Sequence, residues 1–272
     1  MIAFDFEYYK PASVHEAVNL FFDLDAQNKA PVYYSGGTEI ISLARVNINK
    51  TGAVIDIKGI PECNNIEDKN NQIIIGSTLS LSSIAEINIF IRRAADHTAR
   101  NKITLGGNIC GKLPYRETVL PFLLCNSEVL TAGRNGLRKA PINSVFNEKL
   151  NLENGEFLVQ IITDKNYMDL PFKTVKRTKQ EKVDYPLVSI AALKKDNDIR
   201  AAFSGLCGFP FRSSKIGEML NDKNTDLNSR IDNIMKSLPA PVLNDIQGSR
   251  EYRKFIAGNV LMDIIKQIGG VK

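Results

Sequence analysis

The sequence predicts an α+β fold made of two mixed lobes followed by a C-terminal domain of antiparallel sheet plus helices. Three observations predict it. Helical apolar stripes alternate with short β-rich runs over the first sixty residues. Two glycine pairs, Gly36-Gly37 and Gly106-Gly107, mark sharp turns in two successive blocks. From about residue 170 the pattern changes to three closely spaced strand-like runs and then helices. The implied division is 1–58 for the first lobe, 59–167 for the second and 168–272 for the C-terminal domain.

Taken in order, residues 11–30 carry a first helix. Ser13 and Glu16 stand at capping-box spacing, and Val14, Ala17, Val18, Leu20, Phe21 and Leu24 recur at helical period. Residues 31–34 form a short β-rich run, and the glycine pair follows at once. Ile40–Val46 resumes a helical pattern, and Ala53–Ile57 reads as a buried strand. In the second block, Gln72–Gly76 reads as a strand. Leu81–Ile89 and Ile91–Ala99 look helical, and Thr118–Leu124 is a short apolar helix. Glu128–Ala132 and Phe157–Thr163 read as strands joined by a polar connector. In the last block, Phe172–Thr178, Leu187–Leu193 and Ile199–Phe203 suit an antiparallel sheet. Asn224–Leu238 and Arg250–Ile268 suit helices, with Pro239 and Pro241 stopping the first.

Composition excludes several classes. Of 272 residues, 43% are apolar and 24% charged, which suits a folded globular chain rather than a disordered one. No apolar run approaches the ~20 residues of a membrane-spanning helix, and the N-terminus lacks the basic and apolar segments of a signal peptide. A cytoplasmic protein is expected. The net charge of +5 is mild, Trp is absent, and the basic residues form no stripe interleaved with aromatics, so nucleic acid is not an expected partner. Four cysteines without C-x-x-C spacing and two histidines argue against a zinc or iron-sulfur centre. Buried free thiols are the plain reading, and no residue is selected as catalytic.

The glycine pairs carry the chemistry. Gly-Gly lets the backbone adopt conformations closed to other residues. Consecutive N–H groups can then face one anion, and a helix that starts at once adds its positive end. Ser35, Thr38 and Thr104 supply hydroxyls beside the pairs, and Glu39 and Asn108 supply polar side chains. A plain tight turn needs the same glycines, so this reading stays open beside the anion site. Neither pair fits the G-x-G-x-x-G or P-loop pattern.

These residues resemble a family. Tyr34-Ser35-Gly36-Gly37-Thr38-Glu39-Ile40 resembles the AGGT[DE] signature of the FAD-binding medium subunit of molybdenum hydroxylases, the xanthine dehydrogenase and carbon monoxide dehydrogenase flavoproteins. Arg100 to Ile109 (RNKITLGGNI) resembles its second signature. Ile75 to Glu86 resembles the stretch between the two, and Ser249 to Leu261 (SREYRKFIAGNVL) resembles its terminal helix. The four motifs fall in family order over nearly the whole chain.

The resemblance implies a two-lobed FAD-binding fold of the vanillyl-alcohol oxidase and CO dehydrogenase flavoprotein type. It implies FAD as cofactor, with its diphosphate held by Tyr33, Tyr34, Ser35, Gly36, Gly37, Thr38, Glu39 and Ile40 and by Thr104, Leu105, Gly106, Gly107 and Asn108. A family acid falls on Glu117, a family strand position on Leu158, a family lysine on Lys173 and an adenine-side position on Ala94. Glu117 is also an ordinary first-turn helix acid, Leu158 an ordinary core leucine and Lys173 an ordinary surface lysine. Electrons are implied to come from a molybdopterin-binding large subunit through a 2Fe-2S small subunit, and to leave to NAD+ or another acceptor. Leu113 and Glu117 depart from the family's serine and aspartate. Those departures keep two other readings in view: a stand-alone flavin oxidoreductase, and a scaffold that kept the fold without the cofactor.

Overall fold

The structure is a computed structural model, and it describes residues 2–85, 97–179 and 185–269. The first lobe runs β1 (Glu7–Tyr9), α1 (Val14–Ala26), β2 (Val32–Tyr34), α2 (Thr38–Arg45) and β3 (Ala53–Asp56). Its strands form a parallel sheet in the order β1-β3-β2. Parallel neighbours need crossovers, and α1 and α2 supply them. Ser13 caps α1 by accepting from the Glu16 N–H at 3.2 Å, and Glu16 accepts from the Ala12 N–H at 2.7 Å. The helix buries Ala17, Val18, Phe21 and Leu24.

The second lobe runs β4 (Ile66–Lys69), β5 (Gln72–Gly76), α3 (Leu81–Ala85), α4 (His97–Arg100), α5 (Leu105–Cys110), α6 (Val119–Leu124), β6 (Glu128–Gly133) and β7 (Gly136–Pro141). It ends with α7 (Ile142–Val145), β8 (Phe146–Asn147), β9 (Lys149–Leu150) and β10 (Phe157–Asp164). Five of these strands form one antiparallel sheet, β4-β5-β10-β6-β7. β10 sits at its centre and separates two cores. Phe157 and Val159 pack with the first lobe, whereas Leu158 and Ile161 pack with α5 and α6. Alternation separates Phe157 and Val159 from Leu158, and a bulge between Leu158 and Gln160 shifts the register so that Ile161 falls on the Leu158 side.

The C-terminal part runs β11 (Phe172–Thr178), β12 (Pro186–Lys195), β13 (Asp198–Ser204), α8 (Ser214–Asn221), α9 (Leu227–Lys236) and α10 (Arg250–Gly269). The three strands form the expected antiparallel sheet. Val188, Ile190 and Ala192 face α8, α9 and α10, while Ala191 and Leu193 join the core of the second lobe. α10 is pinned by Arg253, which is fully buried. Its guanidinium donates to the carbonyls of Leu187 and Gly205 and to Asp245. The arginine of the SREYR motif therefore joins helix to sheet.

The α+β expectation is borne out, with local differences. The first helix begins at Val14 and ends at Ala26, short of the expected 11–30. β1, β4 and β7 were not expected because edge strands carry polar and charged residues with little alternation; β4 is Ile-Glu-Asp-Lys. α8 was missed because it buries only Ile216 and Leu220. Of the helix expected over Ile91–Ala99, the part before His97 lies outside the described residues, and so does Ala94. Among the described residues no helix is long and apolar enough to cross a membrane.

Candidate functional site at the glycine motifs

β2 ends at Tyr34, and the chain turns through Ser35, Gly36 and Gly37 into α2. Gly37 has φ of 70° and sits under the Tyr34 ring, where a Cβ would stand 2.4 Å from a ring carbon. Only glycine meets both demands at low cost. Among the described residues, the N–H groups of Gly36, Gly37, Thr38, Glu39 and Ile40 have no protein acceptor. The first turn of any helix leaves N–H groups unpaired, and the glycine turn extends that row backwards. The Ser35 hydroxyl oxygen is buried and has no partner.

The second glycine pair is built differently, which corrects the expectation of two equivalent turns. Thr104 is the N-cap of α5, and Gly106 and Gly107 lie inside the helix. From Leu105 to Asn108 every N–H has a protein acceptor. Leu105 donates to the Leu79 carbonyl, Gly106 to the Ser77 carbonyl, Gly107 to Thr104 Oγ and Asn108 to the Thr104 carbonyl. Gly106 permits close packing, because a Cβ there would lie 2.8 Å from Ser77 Cβ. Gly107 meets only Thr104 Oγ, at 2.8 Å, and is otherwise open.

The two motifs meet in space. A Cβ on Gly36 would stand 2.1 Å from the Lys102 carbonyl oxygen and 3.2 Å from the Thr104 nitrogen. Glu39 adds a second tie, accepting from the Lys112 N–H at 3.1 Å through both oxygens. Asn108 Oδ1 accepts from the Thr118 N–H and hydroxyl. Glu39 and Asn108 are thus engaged within the protein.

The other expected residues take other partners. The Tyr33 ring turns away into the inter-lobe core, stacked on Phe21 at 5.1 Å, and its hydroxyl donates to the Gly155 carbonyl at 2.8 Å. Leu158 is a core side chain, 3% exposed, with its backbone paired to Thr131. Glu117 accepts from the Ser189 hydroxyl and from Lys176 at 3.4 Å, so it bridges to the C-terminal sheet. Lys173 is set apart by strand parity. It pairs with Ala192, on the helix-covered face, whereas Lys176 pairs with Ser189 on the face that holds Glu117. Alternation along β11 therefore places Lys173 on the opposite side of the sheet from Glu117.

Sequence reasoning missed a cluster beneath the first loop. Lys58 Nζ lies 2.7 Å from Asp56 Oδ2, 3.2 Å from the Ser35 carbonyl oxygen and 4.4 Å from the Tyr34 ring centre. Tyr8 also donates to Asp56. Burial alone would raise the pKa of Asp56, but hydrogen bonds from Lys58 and Tyr8 hold it below the usual carboxylate value. The Tyr8 phenol is pushed up to about 12, first by its bond to Asp56. A stacked pair of rings, half-buried Tyr115 and exposed Tyr185, was also missed; their centres are 4.7 Å apart. The pairing joins residues seventy apart and leaves no local signal.

Burial pushes the thiols of Cys63 and Cys125 up to about 12 and that of Cys207 to about 11, which leaves them protonated near neutrality. Among the described residues no group of three or more His, Cys, Asp or Glu could hold a metal ion.

Residues 4–163 match the family model described as the FAD binding domain in molybdopterin dehydrogenase. The chain belongs to that family. FAD is the cofactor and oxidoreductase the enzyme class, as the resemblance implied. The chain is 24% identical to the xanthine dehydrogenase FAD-binding subunit of Escherichia coli O157:H7, over 97% of this chain and 96% of that one. It is 28% identical to the carbon monoxide dehydrogenase medium chain of Hydrogenophaga pseudoflava, over 59% of each. The fold matches a chain of the Cu,Mo-CO dehydrogenase with TM-score 0.86 at 18% identity, each chain 99% covered. It also matches quinoline 2-oxidoreductase from Pseudomonas putida 86 with TM-score 0.82 at 19% identity, each chain 97% covered. The CO dehydrogenase type of fold expected from the sequence is therefore borne out.

Proposed function

We propose that this chain is the flavoprotein component of a molybdenum hydroxylase assembly, working beside a molybdopterin-binding large chain and a 2Fe-2S small chain. Bound FAD would take electrons delivered through the 2Fe-2S chain and release them to NAD+ or another acceptor. The carrying observation is the row of five unpaired N–H groups from Gly36 to Ile40, with the unpartnered Ser35 hydroxyl beside it. Such a row at a helix start suits a diphosphate, which is anionic and rich in acceptor oxygens. The residues present thus fit the cofactor. On this reading Gly36 and Gly37 hold the diphosphate by donation, and Gly107 serves by leaving space. Tyr34, Thr38 and Ile40 complete the first loop, and Thr104 and Leu105 set the second helix against it. Support for the assembly comes from the relatives, which include a medium chain and an FAD-binding subunit. Cytoplasmic placement belongs to the same proposal.

The test is the visible spectrum of the purified chain, identification of the flavin released on denaturation, and titration of stripped protein with FAD. Stoichiometric FAD, followed by co-purification of a molybdenum chain and an iron-sulfur chain, is the expected result. Steady NADH turnover by the pure chain without partners would overturn the subunit role.

A further inference from the structure

We propose that Lys58 is a positioning residue that holds the Ser35–Gly36 peptide in the orientation an anion requires, and that Asp56 and Tyr8 hold Lys58 there. The inference rests on the reading of the first loop as the diphosphate site.

The described chain contains no cis peptide bond. In a trans peptide the carbonyl of one residue and the N–H of the next point in opposite directions. Lys58 Nζ donates to the Ser35 carbonyl at 3.2 Å. That contact fixes the carbonyl on the Lys58 side and turns the Gly36 N–H to the other side, where it finds no protein acceptor. Gly36 is first in the row of five unpaired N–H groups, and a glycine-flanked peptide flips easily. A flipped peptide would aim a carbonyl oxygen at the anion.

Lys58 is held by two groups directly and by a third through one of them. Asp56 ends β3, directly opposite Tyr34 in the sheet, and its carboxylate accepts from Lys58 Nζ at 2.7 Å and from the Lys58 N–H at 3.0 Å. The Asp56 side chain is 3% exposed, so its negative charge has reason to keep a cation close. Tyr8, from β1, donates to the same carboxylate. The Tyr34 ring lies 4.4 Å from Nζ, which favours the cation further. Asp56 of β3 and Tyr34 of β2 thus meet the ammonium group directly, Tyr8 of β1 steadies it through Asp56, and the remaining contact is the loop carbonyl.

The experiment titrates the stripped full-length chain with FAD by flavin fluorescence. Lys58→Met should weaken FAD about tenfold in a chain that circular dichroism shows to be folded at the titration temperature, although the unpaired Asp56 carboxylate lowers its melting point. Lys58→Arg, which restores a cationic donor, should recover affinity to within about threefold. Tyr8→Phe should weaken FAD by about twofold to threefold, because it loosens the hold on Asp56 only indirectly. Inorganic pyrophosphate should displace FAD less well from Lys58→Met than its affinity for the parent chain requires. Wild-type affinity in Lys58→Met, or loss in Lys58→Arg equal to that in Lys58→Met, would overturn the inference and leave the diphosphate site standing. A parent chain that binds neither FAD nor pyrophosphate would overturn both.

Discussion

Gly36-Gly37 and Gly106-Gly107 look like one motif written twice, yet the fold uses them in opposite ways. The first pair is a turn. It has one left-handed residue, Gly37, and donors left unpaired from Gly36 to Ile40. The second pair is helix, and its donors are spent on Ser77, Leu79 and Thr104. What Gly106 and Gly107 share is the missing side chain: one lets α5 close on Ser77, and the other leaves a surface open. A glycine pair is thus a permission. Whether it becomes a donor row or a smooth surface depends on which acceptors the rest of the chain brings near.

Gly36→Val places a Cβ against the Lys102 carbonyl, a backbone atom that cannot step aside. It should cost about 3 kcal/mol or more and release FAD, read by chemical denaturation and flavin content together. A stable, FAD-bound variant would mean that the two motifs do not touch as described. Gly107→Val should do the reverse. Its Cβ meets only a threonine hydroxyl, so stability should fall by less than about 1 kcal/mol, while FAD affinity drops about a hundredfold. Retained FAD would remove Gly107 from the site.

Thr104→Ala sharpens the difference between turn and helix. Losing the N-cap should cost about 1 kcal/mol and weaken FAD only slightly, whereas a role as direct ligand would show as a large affinity loss at equal stability. The smallest effect is expected at Lys173. Because it faces away from Glu117 across the sheet, Lys173→Met should change FAD affinity less than about twofold. A tenfold loss would show that this face also meets the cofactor.

Much was legible in the sequence because its signals are local. The Ser13 cap, the stripe of α1, the strand Phe157–Asp164 and the three C-terminal strands all follow from period and capping. So did the neighbourhood of Tyr34 to Ile40. The face of Lys173 was not legible, because strand parity depends on register, and one step along β11 exchanges the two faces. Leu158 was named for its backbone and Tyr33 for its place in the first loop, and the side chains of both fill cores whose other halves lie far along the chain.

By itself the sequence determined the α+β class and the two glycine motifs, since short-range sterics and hydrophobic period act within a few residues. Tertiary structure decided that Gly36 rests on Lys102, that the second pair is helical and already bonded, and that Lys58 reaches the Ser35 carbonyl. These are matters of partnership. A donor or a charge acquires its role from groups that only the folded chain brings within hydrogen-bond distance.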